Sequence, residues 1–239
     1  MDYDDVIDRL NAHSEPGAVA GMARFGINPT NTLGVSIPVI RGIAKEIGTD
    51  HTLAQKLWAS KIHEARILAA MIDDPKKVTK SQMDRWVRDF DSWDVCDQCC
   101  SNLFDKTNHA FEMVHKWSSR NEEFVKRAAF ALIAALAVHD KDTTDTQFQS
   151  LLPIIEREST DERNFVRKAT NWALRQIGKR NMQLNRLALK TARQIQKKKS
   201  KSARWIASDA IRELTSVSVQ KKLSKNRLAK ARSDLEDCE

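Results

Sequence analysis

The chain has 239 residues, 41% of them hydrophobic, with only seven glycines, five prolines and a net charge of +8. That composition supports a core and argues against an all-β fold, which needs many tight turns. The longest apolar run, Ala128 to Val138, is too short to span a bilayer; the opening "MDYDDVIDRL" lacks a basic and apolar leader; and three of the four cysteines fall within five residues, unlike a secreted disulfide framework.

Helix signals follow one another along the chain. "SIPVIRGIAKEIG" offers Ser36 as a cap, Pro38 in the first turn and Gly48 as the stop. "TDHTLAQKLWAS" comes next, then "KIHEARILAAMIDDP", ending before Pro75. Within the latter, "HEARI" is not a metal-binding H-E-x-x-H, because Ile67 occupies the second histidine position. "TKSQMDRWVRDF" has Thr79 as a cap.

"DSWDVCDQCC", residues 91–100, reads as a helix capped by Ser92. With Trp93 at 0° and about 100° per residue, Cys96 falls at about −60°, Asp97 at about 40° and Cys100 at about −20°. Trp93, Cys96, Cys100, Leu103 and Phe104 then form an apolar stripe with Asp97 at its edge. A carboxylate beside apolar surface costs free energy unless it is paired or used. A zinc site would need Cys96, Cys99, His109 and His115, a spacing shorter than finger sites use and inside a helix. A redox C-x-x-C needs a βαβ setting that is absent. A structural ion pair and a functional carboxylate are the readings that remain for Asp97.

Asn121, followed by Glu122 and Glu123, opens an apolar helix through Val138, with Arg127 just ahead of the apolar run. Small neighbours Ala131 and Ala134 would let another surface approach Arg127; a buried ion pair is the alternative. "TDERNFVRKATNWALRQIGKRN" is another helix, closed near Gly178. On it Lys168, Trp172, Arg175 and Lys179 follow i, i+4, i+7, i+11 spacing, an aromatic among cations. Trp172 as a core residue is the alternative reading there.

"FVKRAAFALIAAL" (124–136) matches "FVRKATNWALRQI" (165–177) at a spacing of 41, and "RKATNWALRQI" matches "RWIASDAIREL" (204–214) at a spacing of 37. Repeats near 40 residues mark HEAT-like or armadillo-like helix pairs. The expected fold is an all-α HEAT-like/armadillo-like solenoid with a basic concave surface. It forms one body over residues 1–239, with 216–239 as a polar tail or last helix.

Charge is uneven: residues 1–120 hold 15 Lys/Arg and 17 Asp/Glu, residues 121–239 hold 25 and 15. Arg163 to Trp205 contains 14 cations and no acid, which suits a polyanion and is expected to line a nucleic-acid groove.

"SWDVCD" (92–97), "FVKRAAF" (124–130), "FVRKATNWALRQIGKRN" (165–181) and "LGVSIPVIRGIAKEIG" upstream resemble, in order and spacing, the AlkD-like DNA alkylation repair family, from about residue 20 to residue 215. The resemblance implies a HEAT-like solenoid that hydrolyses the N-glycosidic bond of N3- or N7-alkylated purines in duplex DNA. It implies Trp93 and Asp97 as the Trp-x-x-x-Asp pair, Arg127 as the arginine near the lesion and Trp172 as the second tryptophan. Arg163, Arg167, Lys168, Arg175 and Lys179 join Arg127 as expected DNA contacts. Ser92 stands where the motif often has a further tryptophan. An alkylated purine is already a good leaving group. Positive charge grows on the sugar as the bond breaks, and a carboxylate and tryptophan faces favour it. No metal or cofactor is required. The expected partner is duplex DNA with alkylated bases, with no membrane and no obligate protein partner. A cytoplasmic, nucleoid-associated monomer is expected. A non-catalytic HEAT-like module for damaged or branched DNA is the competing reading.

Overall fold

A computed structural model describes residues 1–225. Every regular element among them is helical: α1 (Tyr3–Ala12), α2 (Pro16–Arg24), α3 (Ile37–Ile47), α4 (His51–Ala59), α5 (His63–Ile72), α6 (Lys80–Arg88), α7 (Trp93–Asn102), a 3-10 turn (Phe104–Lys106), α8 (Ala110–Ser118), α9 (Glu123–His139), α10 (Asp145–Glu158), α11 (Asn164–Gly178), α12 (Met182–Gln196) and α13 (Lys201–Leu214). Helix resumes at 217–225. The remainder of the stretch read as a tail or last helix, from 226 on, lies outside the described residues. The chain divides into two compact units, Met1–Met113 and Val114–Glu239.

Local chemistry explains most boundaries. Thr79 caps α6 by accepting the Gln82 amide, and Gly48 ends α3 with φ of 75°. Asp2 and Asp5 form a reciprocal capping box at α1. Two starts differ from the sequence reading. α9 is capped at Glu122 rather than Asn121. α11 begins at Asn164, because Asp161 folds back onto the Arg163 amide and guanidinium.

In the first unit α5 is central, with nine of its ten residues buried, and it packs on α3, α4 and α7. The Trp58 and Trp86 rings stack face to face at 3.9 Å, nearly parallel, joining α4 to α6.

In the second unit α9, α11 and α13 lie side by side, and α12 packs on α10, α11 and α13. Here the repeat is written in hydrogen bonds. Arg127 donates to the Phe165 carbonyl, Asn171 to Asp209 and Arg175 to Glu213, each across 38 residues. Phe124 and Phe165, the two repeat-start aromatics, sit 5.5 Å apart. Each helix face is therefore completed by the next copy of the same motif.

Lys126, on α9, reaches Glu158 at 2.6 Å and Asp161 at 3.6 Å, at the end of α10 and the turn after it. Burial alone would raise the Glu158 carboxyl; hydrogen bonds from Lys126 and Arg157 outweigh it and hold the group below the usual carboxylate range. A depressed pKa gives stability that is present above the unfolded value, roughly 4.3, and lost as pH falls through the folded value. Glu158→Gln should thus lower stability at neutral pH and flatten its fall below about pH 4. Denaturant unfolding at several pH values checks this; an unchanged acid limb rejects it.

Candidate carboxylate site and nucleic-acid interface

The amino-acid sequence of α7 sorts its residues by depth. Val95, Cys96, Cys99 and Cys100 are fully buried, followed by Leu103 and Phe104. Trp93 and Asp97 are half-buried, as are Asp94, Gln98 and Ser101. The stripe is thus rotated from the sequence reading: Cys99 joins the core, Trp93 marks its margin and Asp97 lies on the outer side. Burial pushes the Cys99 and Cys100 thiols well above the usual range, with neighbouring thiols adding to the effect. These thiols pack as small hydrophobes. Among the described residues no group of three or more His, Cys, Asp or Glu is placed to hold a metal.

What fixes the start of α7 is a set of polar anchors. Ser92 is buried, and its hydroxyl accepts the Asn28 amide at 2.7 Å rather than capping its own helix. Asn28 also donates its side-chain amide to Asp91 at 2.8 Å, and Arg66 reaches the other Asp91 oxygen at 2.7 Å. Arg66 further donates to the Asp89 carbonyl at 2.8 Å. His63, 1% exposed, meets Asp94 at 2.8 Å. The Trp93 indole N–H donates to the Phe25 carbonyl at 3.0 Å, which turns the ring toward the end of α2. Trp93 and Asp97 are one turn apart on a helix whose first turn is tied to α5 and to the loop before α3.

His63, Arg66 and Asn28 are anchors the sequence reading missed. In sequence "HEARI" is only a failed metal motif, and nothing local signals partners 25–31 residues away. The available hint is a His-x-x-Arg pair in the first turn of a strongly apolar helix.

In the second unit, Arg127 is 5% exposed and donates to the Phe165 carbonyl at 2.7 Å, within the α9–α11 contact. Trp172 is half-buried and Lys168 is exposed. Arg175 and Lys179 both pair with Glu213, and Arg175 also approaches Asp209 at 3.5 Å. Arg163 is paired with Asp161 and donates to the Asn121 carbonyl. Arg167 lies 4.9 Å from the centre of the Trp205 ring and also meets Asn164.

The 14-cation run does not form a single surface. Lys168, Trp172, Arg175 and Lys179 lie opposite the buried face of α11. Arg186, Lys190, Arg193 and Lys197 lie opposite the buried face of α12. α11 and α12 pack on each other, so the two free faces point apart. Acids just beyond the run, Asp161, Asp209 and Glu213, fold back onto Arg163, Arg175 and Lys179.

The sequence matches the family described as DNA alkylation repair enzyme over residues 6–214. No curated protein matches the chain. Among solved structures, the chain is similar to one reported as a new family of proteins related to the HEAT-like repeat DNA glycosylases with affinity for branched DNA structures. The two are 19% identical, with a TM-score of 0.75 over 89% of this chain and 95% of that one. The fold is therefore the HEAT-like helical repeat. A designed armadillo repeat protein, YIII(Dq.V1)4CPAF, in complex with the peptide (KR)4, aligns at 14% identity and a TM-score of 0.36 over 78% of this chain and 89% of that one.

Proposed function

This chain belongs to the DNA alkylation repair enzyme family, and we propose that it is a DNA glycosylase that hydrolyses the N-glycosidic bond of N3- or N7-alkylated purines in duplex DNA. The observation that carries this reading is the pairing of Trp93 and Asp97 one turn apart at the margin of α7, on a helix start held by Asn28, His63 and Arg66. A preorganised carboxylate needs such a frame, because its value lies in not having to reorganise as charge develops. Asp97 would stabilise the cationic sugar and orient the attacking water. Trp93 would present a π face to the same charge. Trp172 and Arg127 are proposed to contact DNA near the lesion, as the resemblance carries them. Lys168, with Arg163, Arg167, Arg175 and Lys179, is proposed to meet phosphates, as a monomer on alkylated duplex DNA in the cytoplasm.

Release of 7-methylguanine or 3-methyladenine from alkylated duplex DNA tests the proposal directly. A wild-type protein that binds duplex but releases neither base rejects catalysis. The second reading, a non-catalytic DNA-binding module, would then hold; it is favoured by the reported affinity of the similar solved structure for branched DNA.

The binding face has its own check. Lys168 is exposed and makes no ion pair among the described residues, whereas Arg175 is already paired. Lys168→Ala should lower the log–log salt slope of duplex binding by about 0.9. Arg175→Ala should lower it less and cost some stability as well. If Lys168→Ala leaves the slope unchanged, the α11 face does not hold DNA.

A further inference from the structure

The exposed face of α12 carries Arg186, Lys190 and Arg193, and Lys197 at its C-cap continues the i, i+4, i+7, i+11 row. Among the described residues none of the four has an ion pair or hydrogen bond to its side chain, in contrast to Arg175 and Lys179 on α11. The opposite face is fixed in the core by Leu184, Ala188, Ala192 and Ile195. Four like charges in a straight row of about 16 Å, with no acidic partner among the described residues, repel one another, and a polyanion lying along them would relieve that repulsion.

We propose that this face of α12 is a second DNA-backbone site, separate from the α11 face, and that it holds a second duplex segment while the first is bound. The proposal rests on the DNA-binding reading above. The charge pattern selects the occupant. A duplex carries about one negative charge per 1.7 Å of its axis, so a straight helix lying along it meets phosphates throughout that row. An anionic membrane surface would ask for fully exposed apolar residues flanking the cations; the exposed positions of α12 are Gln183, Arg186, Lys190, Arg193, Gln194 and Gln196, while the apolar Met182, Leu187 and Leu189 are half-buried. Because the free faces of α11 and α12 point apart, a duplex on one leaves the other open.

The test is a sandwich capture. One short duplex is immobilised, the full-length protein is added, and retention of a second, labelled duplex is read. Sedimentation of the soluble complex gives the number of proteins and duplexes in it. Wild type should retain the second duplex with two duplexes per protein. The variant R186Q/K190Q/R193Q/K197Q should lose that retention at least about tenfold. The salt slope of the second step should fall by about 3–4. Its binding of the first duplex should stay within about twofold. These substitutions are all exposed, so circular dichroism should be unchanged. Wild type that binds one duplex but never a second overturns the inference and leaves the glycosylase proposal standing. A quadruple variant with undiminished retention overturns it too, as does retention only in complexes holding two proteins. Loss of all duplex binding in the quadruple variant, with Lys168→Ala normal, would place the first DNA on α12 and overturn both this inference and the α11 face. Binding of wild type to phosphatidylserine vesicles but to no duplex would assign the row to a lipid surface instead.

Discussion

Asp97→Asn should slow release of an alkylated base by roughly 10²–10³, equivalent to about 2.7–4 kcal/mol of lost transition-state stabilisation. The substitution keeps shape and removes one negative charge. In the ground state the alkylated purine holds the positive charge; as the bond breaks that charge moves to the sugar. A carboxylate fixed near the sugar gains in attraction along this path, so its loss should appear in the chemical step and not in binding. DNA affinity should hold or rise slightly, since a repulsion toward phosphate has gone. Single-turnover rates with saturating protein separate the two. Trp93→Ala should behave differently: it removes contact area as well as a π face, and frees the Phe25 carbonyl from its indole donor. It should lower rate and affinity together. The carboxylate's role is rejected if a folded Asp97→Asn protein releases 7-methylguanine as fast as wild type. A structural role alone would show as lost stability with the rate per folded molecule retained.

Much of the fold was readable because its signals are local. Thr79, Ser36 and Gly48 sit where caps and stops should sit, and all three mark helix ends. The 37- and 41-residue repeats are readable by a different route, matching the sequence against itself, and α9, α11 and α13 do pack in series. The sequence puts the cysteines in the core, where the structure has them, but a helical wheel puts Trp93 there too. Period alone cannot see that the Trp93 indole is drawn to the Phe25 carbonyl and the Asp94 carboxylate to His63, which turns that edge of α7 outward. Charge counting failed in a similar way. The acid-free run from Arg163 to Trp205 looked like one field, yet Asp209 and Glu213 lie one repeat on and return to α11. In a repeat fold the partners of a side chain lie about 38 residues away, beyond any window that counts charge or period.

The loop that precedes α3 depends on one buried acid, and Glu64→Ala should cost at least about 3 kcal/mol. The Glu64 carboxylate is fully buried at the start of α5 and accepts the amides of Leu33 at 2.9 Å, Gly34 at 2.7 Å and Val35 at 3.3 Å. Removing it leaves buried N–H groups without an acceptor, each worth roughly 1–3 kcal/mol. The loop has little room to adapt. Gly34 has φ of 83°, and a Cβ there would lie 2.3 Å from the Glu15 carbonyl oxygen. Asn31 is also at positive φ, and its carbonyl takes the His63 amide. For a chain of this length, about 3 kcal/mol corresponds to a fall in Tm of roughly 6–12 °C. Glu64→Gln retains one acceptor oxygen but turns an N–H₂ toward backbone donors, so it should fall between wild type and Ala. Asn28, in the same loop, holds Ser92 and Asp91, so loosening the loop should also loosen the first turn of α7. Below its Tm, Glu64→Ala should therefore release base more slowly than wild type per folded molecule, without touching DNA itself. A Tm within about 1 °C of wild type would show that water can satisfy those amides and that the loop is not held through Glu64.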